Sequence, residues 1–121
     1  MPKEPFIINR LRSIGYAFRG AILLVKTEAS IQIQVVISLI TIAAGCYFNI
    51  TATEWMFQFF AIGLVLTAEG MNTAIEKIAD YIQPNQESRI GVIKDVAAGA
   101  VLLSGVIAII IGGFIYLPKL F

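Results

Sequence analysis

Glu69, Asn72, Glu76 and Asp80 are separated by three, four and four residues, so at about 100° per residue they fall within roughly 80° of one another on a helix. All but Asn72 are carboxylates, on a helix otherwise rich in apolar residues. An ionised side chain at a bilayer centre costs about 2.5–3.5 kcal/mol on insertion scales and less near the interface, so keeping these acids on one stripe calls for a compensating cation. Carboxylate oxygens suit Mg2+, which takes one or two of them together with substrate phosphates and water. Glu76 and Glu28, an acid at the start of the first apolar stretch, are candidates to hold such a metal-nucleotide complex jointly. Glu69 is the deepest acid and the most surrounded by apolar residues, which makes it the candidate to take a proton from a lipid hydroxyl. Phosphoryl transfer needs a metal, cations on the phosphates and a positioned nucleophile. It needs no P-loop, and no G-x-x-x-x-G-K-[ST] occurs. Arg10, Arg12 and Arg19 upstream and Arg89 and Lys94 downstream offer the cations, and Tyr16 offers a ring on which a base can stack.

Each residue also has a plainer account. Glu76 can be an interfacial ion pair, Asp80 a solvated helix end, Asn72 a hydrogen bond between helices, and the upstream arginines contacts to lipid headgroups. Lys94-Asp95 can mark a helix start, with Asp95 favourable at the N-terminal dipole. For Glu69 the plain account is weakest, because no residue three or four positions away can form an ion pair with it. Their joint occurrence at one level of the chain carries more weight than any one of them.

The elements that must position this stripe are membrane helices. In 121 residues the chain is 58% hydrophobic, with a mean hydropathy of +0.83, too apolar for an ordinary soluble domain. Residues 7–27 place Leu11, Ile14, Phe18, Ile22 and Val25 on one face and Arg12, Tyr16, Arg19 and Lys26 on another, the pattern of an amphipathic surface helix. Apolar stretches over about 31–48, 55–79 and 96–117 predict three spans of an all-α membrane protein, within one domain covering 1–121. Thr51-Ala52-Thr53-Glu54 fits a capping box, which accounts for Glu54 without a role in the site. Trp55 is an interfacial aromatic, and Glu69 lies about 21 Å beyond it at 1.5 Å per residue, so the stripe starts just inside the membrane. The helix should stop before Pro84, in the hydrophilic loop Gln83-Pro84-Asn85-Gln86-Glu87-Ser88-Arg89. Ala100, Ser104, Ala108 and Gly112 recur every four residues in the third span, a stripe that lets another helix approach closely.

Orientation follows from charge. Lys3, Arg10, Arg12, Arg19 and Lys26 precede the first span, Lys77, Arg89 and Lys94 flank the second loop, and only Lys119 lies on the other side. Both larger sets, and with them the N-terminus and the polar stripe, are therefore cytoplasmic. A net charge of +1 with dispersed basic residues gives no footprint for nucleic acid. The absence of His excludes a His base, and Cys46, the single cysteine, closes no intramolecular disulfide. The early arginines interrupt any signal-peptide core. A small oligomeric ion or proton channel is the alternative reading of intramembrane acids. Against it, residues 31–66 hold no charge except Glu54, so no path of polar sites crosses the membrane.

In Glu69-x-x-Asn72-Thr73-Ala74-Ile75-Glu76-x-x-x-Asp80 and Lys94-Asp95-x-Ala97-Ala98-Gly99-Ala100-Val101, with Gly15-Tyr16 and Thr27-Glu28 upstream, the chain resembles the small prokaryotic diacylglycerol kinase family, which also contains undecaprenol kinases. The resemblance covers nearly the whole chain. It implies a surface helix plus three membrane helices in the bacterial inner (cytoplasmic) membrane, assembled as a homotrimer with active sites shared between protomers. It implies transfer of the γ-phosphoryl of Mg-ATP to a lipid alcohol, diacylglycerol or undecaprenol. Glu69 would be the general base, and Glu28 and Glu76 would hold the metal. Asn72, Glu76, Asp80, Lys94 and Asp95 would line the nucleotide site, with Tyr16 and Arg19 near the nucleotide and Arg12, Glu69 and Asn72 toward the lipid. The chain departs from the diacylglycerol kinase branch at Gln34, where that branch favours an acid, and at Val92, where it favours a base, leaving Arg89 as the candidate for a displaced cation. The Lys94–Val101 segment looks closer to the undecaprenol kinase branch.

Overall fold

The computed structural model describes residues 5–85 and 87–121; Lys3 and Gln86, counted above with the basic residues and the loop, lie outside the described residues. Helices α1 (Phe6–Thr27), α2 (Ala29–Phe48), α3 (Ala52–Ile82) and α4 (Ser88–Leu120) make up nearly all of it, and no strand occurs among the described residues. By length and composition, α2 and α4 are apolar enough to cross a membrane. With 31 residues α3 is also long enough, about 46 Å at 1.5 Å per residue, but it carries the polar stripe. Large apolar side chains point outward, with Leu39, Phe60, Leu102, Ile109 and Phe114 more than half exposed, while much of the sparse interior is small: Ala61, Val65, Ala97. That distribution is the reverse of a soluble domain and is what lipid contact allows.

Local chemistry sets each helix end. Glu28 alone separates α1 from α2, in an extended conformation (φ −104°, ψ 115°). Gln32 Nε2 reaches back to donate to the carbonyls of Val25 (3.0 Å) and Lys26 (3.2 Å), satisfying groups that the end of α1 would otherwise leave bare. Asn49 ends α2 at φ 51°, a left-handed position that Asn tolerates. At the start of α3 the expected capping box is present: Glu54 N–H donates to Thr51 Oγ1 (3.2 Å) and Thr51 N–H to Glu54 Oε1 (2.9 Å), worth about 1 kcal/mol. The helix ends at Ile82, ahead of Pro84. One expectation fails here. Because α4 starts at Ser88, well before the apolar stretch, Lys94 and Asp95 stand inside the helix, and the dipole account of Asp95 does not apply.

The long antiparallel pair α3 and α4 is the frame of the molecule. Glu54 meets Lys119 (2.9 Å) near one end, Gln58 meets the Tyr116 hydroxyl a turn further on, and Asp80 meets Lys94 (2.5 Å) near the other end. These pairs share one register, which sets Glu69 level with Ser104 and Gly105. Of the small-residue stripe of α4 only Ser104 is buried; Ala108 and Gly112 are half-buried and line a cleft, a Cβ on Gly112 would meet nothing within 4 Å, and Ala100 is exposed, so within one chain the stripe as a whole does not bring another helix close. A tight approach also joins α2 to α3, where a Cβ on Gly45 would come 2.7 Å from the Trp55 ring. Trp55 is half-buried and stacked on Phe59.

Candidate active site

The polar stripe of α3 is graded in exposure along its length. Glu69 is 9% exposed, Asn72 is half-buried, and Glu76 and Asp80 are open. Gln58, Ala61, Val65, Glu69 and Thr73 form the buried face of α3, and Glu69 is the one carboxylate of the stripe that is buried. Among the described residues no hydrogen bond or ion pair reaches its carboxylate. One turn on, Asn72 Nδ2 donates to Glu76 Oε1 (3.2 Å), while Asn72 Oδ1 is buried without a hydrogen-bond partner. A buried amide oxygen left bare costs about 1–3 kcal/mol, which a ligand donor or a cation would recover.

Glu28 comes to this end of the bundle because it is the joint between α1 and α2. Leu24, near the end of α1, approaches α3 at Gly70, where an added Cβ would lie 3.3 Å from its Cδ1. The Glu28 carboxylate then meets Lys77 Nζ at 3.1 Å. The acids expected to share a metal therefore hold different partners, Glu28 with Lys77 and Glu76 with Asn72, on consecutive residues of α3. Lys94 faces α3 and is held by Asp80. Asp95, next in sequence, is exposed on another side of α4 and is not brought to the stripe within one chain.

Tyr16 and Arg19 do meet each other, the guanidinium lying 5.5 Å from the ring centroid, one turn apart on α1. Both are exposed, as is Arg12, and α1 buries none of its residues. One chain thus gathers Glu28, Glu69, Asn72, Glu76, Asp80 and Lys94 at one end, and leaves Arg12, Tyr16, Arg19 and Asp95 outside the gathering. At the two departures from the diacylglycerol kinase branch, Val92 is exposed and Gln34 is half-buried on a cleft wall; Arg89 is committed to Glu87 at 2.9 Å.

The donors present suit Mg2+. Glu28, Glu76 and the bare Asn72 Oδ1 are hard oxygen atoms, the type that ion prefers. Among the described residues no group of three or more acids comes together.

Sequence reasoning missed a second polar cluster. Gln58, 3% exposed, donates through Nε2 to the Thr41 carbonyl (3.2 Å), and the Tyr116 hydroxyl bonds to both Gln58 Oε1 and that carbonyl. These residues, with Gln34 and Ser38, line one part of a cleft of about 360 Å3 between α2, α3 and α4 whose remaining walls are apolar. The spans therefore do hold polar sites, which corrects the expectation that they hold none; the residues are uncharged, and Gln58, Thr41 and Tyr116 are bonded to one another.

A helical membrane protein with a graded acidic stripe at one end of its bundle is the class this geometry defines. Residues 15–116 match the prokaryotic diacylglycerol kinase family, and the chain belongs to it. It is similar to the undecaprenol kinase of Bacillus subtilis (strain 168), 36% identical over 114 residues that cover 93% of each chain. It is 31% identical to a diacylglycerol kinase of Synechocystis over 93% of this chain and 65% of that one. With the diacylglycerol kinase of Escherichia coli (strain K12) it shares 26% over 83% of this chain and 82% of that one. The chain is therefore an all-α membrane protein and an ATP-dependent lipid kinase, which favours phosphoryl transfer over the ion-channel alternative.

Proposed function

We propose that the chain transfers the γ-phosphoryl of Mg-ATP to the primary hydroxyl of a lipid alcohol at the cytoplasmic leaflet. The observation that carries this reading is Glu69: a buried carboxylate with no partner, one turn from the Asn72–Glu76 pair. The lipid hydroxyl gives its proton to the Glu69 carboxylate as its oxygen bonds to the γ-phosphorus. The bond from that phosphorus to the β,γ-bridging oxygen breaks, and ADP leaves with the electron pair. Glu28 and Glu76 would hold the metal, which would supply positive charge to the phosphates. Lys94 turns from Asp80 to the phosphates, and Asn72 lines the same site beside Glu76. Arg12 lies toward the lipid.

Undecaprenol is the acceptor that the likenesses favour, since the undecaprenol kinase of B. subtilis is matched along 93% of both chains. Membership of the family supports a homotrimer, in which the exposed Asp95, Tyr16 and Arg19 would lie open to a neighbouring protomer. The charge distribution supports a single-domain, multi-pass protein of the bacterial inner membrane, with α2, α3 and α4 as spans and a cytoplasmic N-terminus.

Purified protein reconstituted with γ-labelled ATP and one lipid alcohol at a time tests the reading. Undecaprenol should be phosphorylated faster than diacylglycerol, at equal mole fraction in the same vesicles. A reversed preference would reassign the acceptor, and no labelling of either would overturn the reaction.

A further inference from the structure

Lys77 has no part in the chemistry above, yet its ammonium lies 3.1 Å from Glu28 Oε1. The two side chains differ in freedom: Glu28 is 25% exposed and Lys77 68%. Glu28 is also held by the backbone, because it is the single non-helical residue between α1 and α2. Lys77 sits at the end of a flexible four-carbon stem with rotatable donors, and it follows Glu76 directly on α3. The cation is thus the movable member of the pair and the carboxylate the fixed one.

We propose that Lys77 is a resident counter-ion, occupying the cation position at Glu28 in the metal-free enzyme and yielding it to the divalent metal. The inference rests on Glu28 and Glu76 being the metal ligands. Without a cation, two carboxylates facing one site beside the membrane repel, and Glu28 would turn toward water; the Lys77 ammonium keeps it against α3 until the metal arrives. A doubly charged ion then displaces the single charge, and the freed ammonium is left beside the triphosphate. The exchange has a cost. Metal binding must break the ion pair, and exposed pairs of this type weaken a competing equilibrium by about two- to fivefold.

The test is Mn2+ binding to the full-length protein in detergent micelles with a saturating non-hydrolysable ATP analogue, read as free Mn2+ by electron paramagnetic resonance. Lys77→Met should bind Mn2+ about two- to fivefold more tightly than wild type. Lys77→Arg, which keeps the pair, should bind no more tightly. In a Glu28→Gln background the gain from Lys77→Met should vanish, because no pair remains to be broken. Unchanged or weaker Mn2+ binding by Lys77→Met overturns the proposal, and so does an equal gain in the Glu28→Gln background, which would be a general charge effect. Loss of Mn2+ binding in wild type itself would remove the metal site and Lys77 with it, whereas normal wild-type binding insensitive to Lys77 removes only this inference.

Discussion

The two ends of the α3–α4 pair treat their polar groups in opposite ways. At the end that carries Glu54, the polar side chains are spoken for: Glu54 by the cap and Lys119, Gln58 by Thr41 and Tyr116. Gly45 there lets the Trp55 ring lie directly on the α2 backbone. At the other end Asn72 Oδ1 is buried without a partner, Glu69, 9% exposed, is bonded to no other side chain, and the charges that are paired, Lys77 with Glu28 and Lys94 with Asp80, are joined by exposed contacts that water can open. One end is locked and the other is held in readiness. Groups left unsatisfied inside a membrane protein are costly, so they persist where a ligand completes them.

The largest break in this comparison comes from Glu69→Gln. The substitution keeps shape and hydrogen-bonding capacity but removes the proton acceptor, so turnover should fall by about 10²–10⁴-fold. Assembly in micelles and nucleotide binding should stay as in wild type, because no contact of the fold depends on this carboxylate. Turnover within a few fold of wild type, measured with labelled ATP in vesicles, would remove Glu69 as the base.

How far this contrast is legible in sequence depends on the range of the interactions. The stripe Glu69, Asn72, Glu76, Asp80 and the Thr51–Glu54 cap are local, set by helical periodicity, and both are visible in the order of residues. Glu28 is legible because hydropathy changes there from an amphipathic to an apolar pattern. Gln58, Thr41 and Tyr116 meet across separations of 17 and 58 residues, and as single neutral polar residues in apolar runs they carry no periodic signal. Lys77 reads in sequence as one more cytoplasmic charge, since its partner lies on another helix. The start of α4 escaped because hydropathy reports where a helix enters lipid, whereas the backbone coils earlier, through the polar residues from Ser88.

Glycine substitutions sharpen the comparison with a smaller effect. At the locked end, a Cβ on Gly45 would approach Trp55 Cη2 to 2.7 Å and Cζ2 to 2.9 Å, so the ring or the backbone must move. Gly45→Ala should destabilise by about 1–3 kcal/mol, the usual range for overpacking. At the open end, nothing lies within 4 Å of a Cβ on Gly91 in the early turns of α4. Gly91→Ala should stabilise by roughly 0.5–1 kcal/mol, through the better helix propensity of Ala. Thermal melts in one detergent should move in opposite directions, and a shared direction would mean that the two ends are equally packed.

The smallest effect is in the acid limb of stability at the locked end. The Thr51 backbone N–H, first, and the Lys119 side chain, second, hold the Glu54 carboxyl below its ordinary value. A carboxyl with a lowered native pKa stabilises the fold fully above the ordinary carboxylate range, and that contribution is lost as pH falls through the native value. Melting temperature should therefore fall on acidification, and Glu54→Gln should remove this share of the fall. Lys119→Met should remove only part of it, because the larger cause, the cap, survives the loss of the ammonium. If Lys119→Met and Glu54→Gln flatten the limb equally, the ion pair rather than the cap locks this end, and the contrast with the exposed pairs of the open end becomes one of degree.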